Sequence, residues 1–490
     1  MILALILIPA LIGSMVFFIR KPWVCRTLLI VTAAAHACMT ALCWCGFPKP
    51  ALSGWLAMDA PGLLFLSIAS ALFLLASFYR VSFRKESAEK KKDFEEGFLF
   101  TNAPEATFCG CMLLFLSTMT LVCVSHQFGI LWVAVEATTL ASAPLIFFHR
   151  HRRSLEAAWK YLLICSVGIA LALLGNFFLA VALPSRGVGG SMLLAQMIDQ
   201  ARGGLLNAVW LKAAFVLLLV GYGTKMGLAP MHTWLPDAHS EAPSAVSALL
   251  SGALLNCSFL AILRSQQVLV AAGFAEFGQG LLLLLGLVSM AVAAALIVGQ
   301  ADYKRMLAYS SVEHMGILAV GVGIGGIATF GSMFHAVNHS LAKGMLFFAA
   351  GNILSFYRTK RASEVTGLLG RLPMTGILWV AGLFAITGSP PFGTFVSEFT
   401  ILSGALGQGR SFIAVLYLVL LAIAFAGMAV TMLRMAQGGD ESNETRGREA
   451  ALALIPPAVL AVAVLALGMI VPSSLGEMLR AAAAAVGGVR

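Results

Sequence analysis

Fourteen long apolar segments constrain this 490-residue chain more strongly than any single motif. A helix needs about 20 mostly apolar residues to cross the hydrocarbon core of a bilayer. Charged residues make up only 11% of the chain, against about 25% in soluble proteins. The sequence therefore predicts an all-α polytopic membrane protein with about 14 transmembrane helices. No polar stretch is long enough to form a soluble domain.

Lys and Arg residues test this assignment, because cytoplasmic loops of membrane proteins carry an excess of them. Loops on one side of the predicted helices hold 22 of the 32, and loops on the other side, where Arg264 is counted, hold seven. This asymmetry predicts a multi-pass protein of the cell inner membrane with both termini on the non-cytoplasmic side. The predicted spans are 1–19, 27–45, 59–79, 107–125, 128–148, 161–183, 208–230, 244–263, 279–299, 307–325, 328–352, 374–402, 411–433 and 452–471.

Ionisable side chains within these apolar segments are the strongest functional signal, because charge inside a membrane helix is costly and usually functional. A lysine in a low dielectric releases its proton more readily, and a neighbouring carboxylate reverses that effect. Histidine relays protons with little tuning. An isolated Lys–Glu pair is also compatible with a structural clamp. The residues predicted to form a proton path are Glu136, Lys225, Lys343, Glu398, His335, His339 and His314.

Two of the predicted spans carry glycine and proline clusters next to a charge. Pro230 follows Lys225 in the seventh span, and Pro390 and Pro391 precede Glu398 in the twelfth. Proline removes a helical hydrogen-bond donor, so we expect broken helices 7 and 12. Broken helices at corresponding places mark two inverted repeats in transporters. The predicted regions are 1–106 (helices 1–3 and a cytoplasmic loop), 107–264 and 265–435 (the two repeats), and 436–490 (a loop and helix 14).

Several motifs resemble one known family. The segment GYGTKMGLAPMHTWLPDAHSEAPSAVSALLSG is similar to the antiporter-like membrane subunits of respiratory complex I and of Mrp sodium/proton antiporters. QADYKRMLAYSSVEHMGIL and FHAVNHSLAKGMLFFAAG match the same family. LWVAVEATTLASAPLI and GSPPFGTFVSEFTIL most resemble the hydrogenase-4 component F branch of the group 4 membrane-bound NiFe hydrogenases. The resemblance covers roughly residues 100–430.

The resemblance implies roles for the buried ionisable residues. Glu136, Lys225, Lys343 and Glu398 match the family's charged positions, and the three histidines match positions assigned to the relay between them. One position departs from the family, because Asn256 stands where several members have a lysine. Ser251 stands where others have a histidine. An amide holds water but carries no charge, so we expect water at Asn256 and Ser251 to bridge the path.

The resemblance also implies partners and a function. We expect a proton-translocating subunit of a membrane-bound hydrogenase or complex I-type NADH-quinone oxidoreductase, joined to other membrane-arm subunits and a soluble hydrogenase or dehydrogenase arm. NiFe and iron–sulfur centres are expected in those partners. No metal or cofactor site is predicted in this chain, whose nine cysteines form no zinc or iron–sulfur pattern. An Mrp-type antiporter moving Na⁺, a redox enzyme with its own cofactor and a non-pumping scaffold remain as alternatives.

Overall fold

The computed structural model describes residues 1–82, 104–184, 192–438 and 446–487. Throughout this part of the chain the structure is helical, and β-structure is limited to isolated bridges. The apolar composition explains this outcome, because backbone polar groups in lipid must be paired within their own segment and helices achieve that. The predicted all-α fold of a multi-pass membrane protein is confirmed.

The helix bounds are as follows. The first half comprises α1 (Ile2–Val16), α2 (Pro22–Leu42), α3 (Ala60–Ser82), α4 (Glu105–Val124), α5 (Phe128–Ile146), α6 (Arg152–Ala182), α7 (Leu194–Arg202), α8 (Ala208–Met226), α9 (Trp234–Glu241), α10 (Ser244–Leu249) and α11 (Leu255–Ala271). The second comprises α12 (Ala275–Ile297), α13 (Tyr303–Ile324), α14 (Ile327–Tyr357), α15 (Leu368–Arg371), α16 (Pro373–Ile386), α17 (Gly393–Gly407), α18 (Ser411–Ala436), α19 (Ala451–Met469) and α20 (Ser473–Ala485).

Eleven helices among the described residues are long and apolar enough to cross a membrane. They correspond to eleven of the fourteen predicted spans, so the number fourteen stays a prediction. Two of the remaining spans are short helices, since α1 has 15 residues and the predicted span 374–402 divides into α16 and α17. The third, α14, has 31 residues, but several polar side chains interrupt its apolar run.

Both helices expected to be broken contain a non-helical segment. Helix α8 ends at Met226, and α9 begins at Trp234. The residue after α8, Gly227, has a φ of 84°, in the left-handed region that glycine adopts without strain. The segment between α16 and α17 contains Pro390 and Pro391. Each break therefore lies within a few residues of a predicted path residue, Lys225 in one case and Glu398 in the other.

The eighth predicted span differs from its prediction in two ways. A π-helical segment, Leu250–Leu254, joins α10 to α11, and apolar periodicity does not reveal such a segment. The helix also continues to Ala271, beyond the predicted end at residue 263. Arg264 therefore lies in α11 with a 1% exposed side chain, and its assignment to a non-cytoplasmic loop is wrong. Its charge is paired with Asp59 at 3.5 Å, which makes the helical position tolerable.

Other helix ends also extend into predicted loops. Helix α6 begins at Arg152 and α13 at Tyr303, so Lys160, Lys304 and Arg305 are helical. The predicted cytoplasmic loops 80–105 and 437–449 fall largely on residues 83–103 and 439–445, which lie outside the described residues. Orientation and the predicted domain boundaries stay predictions.

The centre of the bundle positions the candidate site. The central residues of α13 and of the continuous segment Ser244–Ala271 are all buried within the bundle. Helix α14 packs against α13, α17 and α19. Polar side chains on these inner helices are therefore shielded from lipid and face one another.

Candidate functional site: a buried polar row

Lys225 lies at the end of α8, fully buried, and reaches the carboxylate of Glu136 through a hydroxyl. Its Nζ atom donates a hydrogen bond to Thr139 Oγ1 at 2.8 Å. Thr139 Oγ1 in turn donates to Glu136 Oε2 at 3.4 Å, and Ser166 donates to Glu136 Oε1 at 3.1 Å. Thr139 therefore links the lysine to the glutamate, two residues that the sequence analysis assigns to the same proton path.

A second hydroxyl, that of Tyr161, also contacts the Lys225 ammonium. Lys225 Nζ donates to the Tyr161 hydroxyl and lies 4.3 Å from the centre of that ring. Tyr161 also hydrogen-bonds Ser142 at 2.6 Å. The indole of Trp234 lies 5.9 Å from Nζ. Cation–π contact and two hydroxyls stabilise the ammonium in a buried position, and each hydroxyl both donates and accepts, as proton transfer requires.

Two uncharged polar residues of the predicted path, Ser251 and Asn256, lie in and just after the π-helical segment Leu250–Leu254. Asn256 uses its amide group as a donor to the Gly252 carbonyl at 3.0 Å and to Ser340 Oγ at 2.8 Å. Its Oδ1 atom is buried and makes no hydrogen bond within the described residues. Ser251 hydrogen-bonds Ser311 at 2.7 Å. Asn256 thus presents a free acceptor close to α14, three residues from Lys343 along the chain at Ser340, and such an acceptor can bind a water molecule.

Lys343 lies in α14 and contacts α13. Its Nζ atom donates to the Leu307 carbonyl at 2.7 Å and to the Ser310 hydroxyl. The carboxylate of Glu313, one turn along α13 from Ser310, attracts it electrostatically. The His239 ring, on α9, is a further buried neighbour within electrostatic range of Lys343. Lys343 therefore has a carboxylate and a histidine as ionisable neighbours and a hydroxyl, that of Ser310, as its direct side-chain partner.

Three histidines form a stack beside Lys343. The ring centres of His314 and His335 are 5.0 Å apart, and His339 lies at the same distance from His314. His314 Nδ1 and His335 Nε2 are 2.8 Å apart, within hydrogen-bond range. His335 Nδ1 lies 3.0 Å from Ser397 Oγ, which already donates its own proton to the Thr394 carbonyl. His335 must therefore carry its proton on Nδ1, and His314 donates to its bare Nε2.

Glu398 ends the row at the start of α17. Its residue is 6% exposed, and its Oε1 atom has no hydrogen-bond partner among the described residues. Gly388, in the break, has a φ of 63°, and a Cβ atom there would overlap the Glu398 carboxylate. The hydroxyl of Tyr417, buried nearby on α18, also lacks a partner in the described part of the chain. The break therefore makes room for a carboxylate with free acceptor capacity.

The structure brings the predicted residues together in two groups. Glu136 and Lys225 form one, and Lys343, His314, His335, His339 and Glu398 form the other; Asn256 and Ser251 contact α14 and α13 beside the second group. The sequence analysis missed the hydroxyls of Thr139, Tyr161 and Ser310, because uncharged polar residues do not stand out in membrane-spanning segments. It also missed His239, which lies within the first segment quoted for the family resemblance, directly after the stretch HTWLPDA.

Sequence comparison places the chain among membrane subunits of this kind. Residues 125–424 match the family described as "NADH:quinone oxidoreductase/Mrp antiporter, TM". The chain is 42% identical over 293 residues to a protein of Methylacidiphilum infernorum (isolate V4) named hydrogenase-4 component F homolog. That alignment covers 59% of this chain and 61% of the relative. The chain is thus matched to less than two thirds of that relative's length.

Comparison of folds covers almost the whole chain. A chain of the membrane-bound sulfane sulfur reductase, an archaeal respiratory membrane complex, superimposes with a TM-score of 0.87 at 20% identity, covering 99% of this chain and 98% of that one. A chain of the Mrp complex from Dietzia sp. DQ12-45-1b gives 0.83 at 20% identity, with coverage of 99% and 96%. At such identities the likeness concerns the fold.

Proposed function

The chain belongs to the NADH:quinone oxidoreductase/Mrp antiporter transmembrane family, and from this premise we propose that it moves protons across the membrane. Its place would be that of an antiporter-like subunit in a membrane-bound hydrogenase or complex I-type assembly. In that assembly, electron transfer in partner subunits drives the ion movement. The observation that carries the proposal is the set of buried ionisable side chains from Glu136 to Glu398. Such groups are costly inside a membrane, and where they occur they usually mark a path for ions or protons.

The mechanism follows from the hydrogen bonds of the row. The Thr139 hydroxyl separates Lys225 from Glu136, so rotation of one hydroxyl changes whether the lysine is coupled to the carboxylate. A change in the charge beside a buried lysine shifts its proton affinity, with about 1.4 kcal/mol for each pKa unit. A proton released by Lys225 passes water held at Asn256 and reaches Lys343. The stacked histidines then deliver it toward Glu398.

The donor types favour H⁺ over Na⁺ as the transported ion. Sodium needs several oxygen ligands around one point, as other hard cations do. The row instead alternates ammonium, imidazole, hydroxyl and carboxylate groups, of which the first two exchange protons but do not suit Na⁺. The row thus supports proton transfer more directly than sodium coordination.

The decisive experiment replaces Lys225 in the assembled complex. Lys225→Ala is expected to leave assembly intact and to abolish proton movement coupled to electron transfer in reconstituted vesicles. Lys212→Ala serves as the matched control, because Lys212 lies on the same helix but its Nζ sits 4.4 Å from the Phe274 ring, outside the row. Unchanged pumping by Lys225→Ala would refute the proposal.

A scaffold that anchors a soluble arm without moving ions is the second candidate, and Asn256 favours it because an amide cannot carry the charge. Normal electron transfer and assembly with no proton movement in the wild-type subunit would support the scaffold. Sodium-dependent transport by the chain alone would instead favour an Mrp-type antiporter.

The partner arm, its NiFe and iron–sulfur centres, and a location in the cell inner membrane with non-cytoplasmic termini belong to the same proposal. The family membership and the excess of Lys and Arg on one side of the predicted helices support them. Copurification of this chain with hydrogenase or NADH dehydrogenase subunits would identify the arm. Labelling, from each side of the membrane, of single cysteines introduced at the two termini would test the orientation.

A further inference from the structure

Three potential metal ligands converge at one end of the row. His314 on α13, His335 on α14 and Glu398 on α17 each offer one donor atom, and these atoms all lie within 4.8 Å of one another. All three residues are buried, and they come from three different helices that pack against each other. Side chains on three packed helices form a site whose shape the fold determines.

The surroundings resemble the outer shell of metal-bound histidines. Such histidines donate their second ring N–H to a carbonyl, carboxylate or hydroxyl, which fixes the ring orientation. His335 Nδ1 already donates to Ser397 Oγ at 3.0 Å, which leaves Nε2 as the bare nitrogen. The backbone carbonyl of Ile386 lies close to the His314 ring as an acceptor. Each ring thus has one nitrogen held by an acceptor outside the pair, and the remaining nitrogens face each other at 2.8 Å.

Unpartnered polar atoms give a second, independent indication of a ligand. Glu398 Oε1 and the Tyr417 hydroxyl are buried and form no hydrogen bond within the described ranges. The ring of His339, which lies over His314, has the Ser251 backbone as its only polar neighbour of this kind among the described residues, so at least one of its nitrogens is unpaired. Buried polar atoms are normally paired. Their concentration here indicates that something other than the described side chains satisfies them.

We propose that His314, His335 and Glu398 bind one divalent transition-metal ion of the Zn²⁺ class. Two imidazoles and a carboxylate are the donor set that Zn²⁺ and Co²⁺ accept, with a fourth position for water. Alkali and alkaline-earth ions prefer all-oxygen sites. This site differs from the sequence prediction, which placed no metal in the chain.

Binding requires a small local rearrangement. The 2.8 Å separation of His314 Nδ1 and His335 Nε2 is a hydrogen-bond distance, whereas two ligands of a tetrahedral ion stand about 3.4 Å apart at metal–nitrogen distances of about 2.1 Å. His314 moves its proton from Nδ1 to Nε2, where the Ile386 carbonyl lies, and Nδ1 then faces the ion.

Occupancy has a functional consequence that rests on the proposed proton path. The ion takes the lone pairs through which His314 and His335 exchange protons, so metal and proton transfer exclude each other. Transition-metal ions are therefore reversible inhibitors of transport, and chelation restores it.

The experiment measures binding directly and so stands apart from transport. The full chain, produced without a polyhistidine tag, is titrated with Co²⁺ and followed by the visible ligand-field absorption of the tetrahedral ion. Zn²⁺ is then added as a competitor. We expect one Co²⁺ per chain, displaced by Zn²⁺, and affinity weakened at least about tenfold in His314→Gln, His335→Gln and Glu398→Gln.

His36→Gln is the matched control. His36 is a fully buried histidine, but Ser70 and Thr120 occupy its two ring nitrogens at 2.9 and 3.0 Å. The control is expected to bind Co²⁺ like the wild type. Absence of the visible bands at saturating Co²⁺, or binding that survives in all three ligand variants, would overturn the metal site. Thermal unfolding of each variant identifies any that fails to fold, and the remaining ligand variants then decide.

Transport assays separate this inference from the proposed function. If Co²⁺ binds but wild-type vesicles pump no protons with or without chelator, the metal site stands and the proton path fails. If pumping is normal and Co²⁺ does not bind, the path stands and the metal site fails.

Discussion

Lys225 donates a 2.8 Å hydrogen bond to the hydroxyl of Thr139. That hydroxyl has a single proton, which it directs to Glu136 Oε2 at 3.4 Å. The lysine and the carboxylate therefore share one intermediary and make no direct ion pair. The coupling between the two charges depends on a side chain that carries no charge itself.

This geometry predicts the effect of Thr139→Val, which keeps the shape and removes the hydroxyl. A hydrogen bond to a charged group contributes about 1.5–3 kcal/mol. We expect proton pumping to fall by about tenfold or more, since each 1.4 kcal/mol in a barrier is a factor of ten in rate. The measurement is the rate of vesicle acidification per electron transferred in the reconstituted complex.

Thr138→Val is the matched control, because Thr138 is also buried on α5 but its hydroxyl donates to the Val135 carbonyl in its own helix. Its pumping rate should stay near that of the wild type. Equal losses in the two variants would indicate damage to α5 and would argue against the bridging role.

Much of the fold was accessible from the sequence because lipid imposes one dominant rule on apolar segments. Hydropathy located the spanning helices, and proline and glycine located both breaks. Hydropathy failed where an ion pair allows a helix to continue past its apolar run, as at Arg264, which is paired with Asp59. Hydropathy also gave no sign of the π-helical segment at Ser251, in which Gly252 lies against the Ser340 backbone of α14.

The site was predictable only in its charged members. A lysine or glutamate in an apolar run stands out, whereas Thr139, Tyr161 and Ser310 are ordinary residues of membrane helices. Their roles arise from the side chain that another helix brings within hydrogen-bond distance. The sequence likewise gave no sign that Thr139 links Lys225 to Glu136, since spacing along two helices does not fix their rotation.

We predict that the polar side chain of Asn256 is needed for proton transfer, although it carries no charge. Asn256→Leu keeps the size but removes the free Oδ1 acceptor and the hydrogen bond to Ser340. We expect proton transfer to fall at least about tenfold, as water loses its binding position. Vesicle acidification measures the effect.

Asn176→Leu provides the comparison, because Asn176 is a buried asparagine on α6 that bonds the Phe128 carbonyl away from the row. It should lower stability but leave the pumping of folded protein unchanged. Normal pumping in Asn256→Leu would show that the path bypasses this position and would favour a route other than the one proposed.

The surroundings of Glu241, the last residue of α9, predict how the stability of the protein depends on pH. Burial raises the pKa of Glu241, but the positive charge of Lys360, 2.9 Å away, and the nearby His151 outweigh burial, so the net pKa lies below its usual value. A carboxyl group with a lowered folded pKa contributes stability above its unfolded pKa, about 4.3. That contribution is lost as the pH falls through the folded pKa.

Glu241→Gln should therefore cost about 1.5 kcal/mol near neutral pH and lose less stability on acidification than the wild type. Unfolding followed by tryptophan fluorescence between neutral and acidic pH measures this. Glu364→Gln is the control, since the Glu364–Arg361 pair is about half exposed and adds little. Identical acid sensitivity of Glu241→Gln and the wild type would contradict the assignment.

A final prediction concerns the pair that stabilises the far end of α11. Arg264 Nη2 lies 3.5 Å from Asp59 Oδ1 and donates to the Cys123 carbonyl at 2.6 Å, while its Nε and Nη1 atoms have no partner in the described residues. Asp59→Asn leaves a fully buried guanidinium uncompensated. The cost of such a loss is about 3–5 kcal/mol in a fully buried pair, and about 2–3 kcal/mol here because the Asp59 side chain is 25% exposed.

Arg264→Gln should cost less than Asp59→Asn, because the exposed part of Asp59 keeps contact with water and with His126 at 3.5 Å. The double variant should be more stable than the sum of the two losses predicts, because neither charge is then left alone. Denaturant unfolding of all four proteins in detergent gives the coupling energy. Strict additivity would mean that the two charges do not interact, and Arg264 would then need another explanation for its buried position.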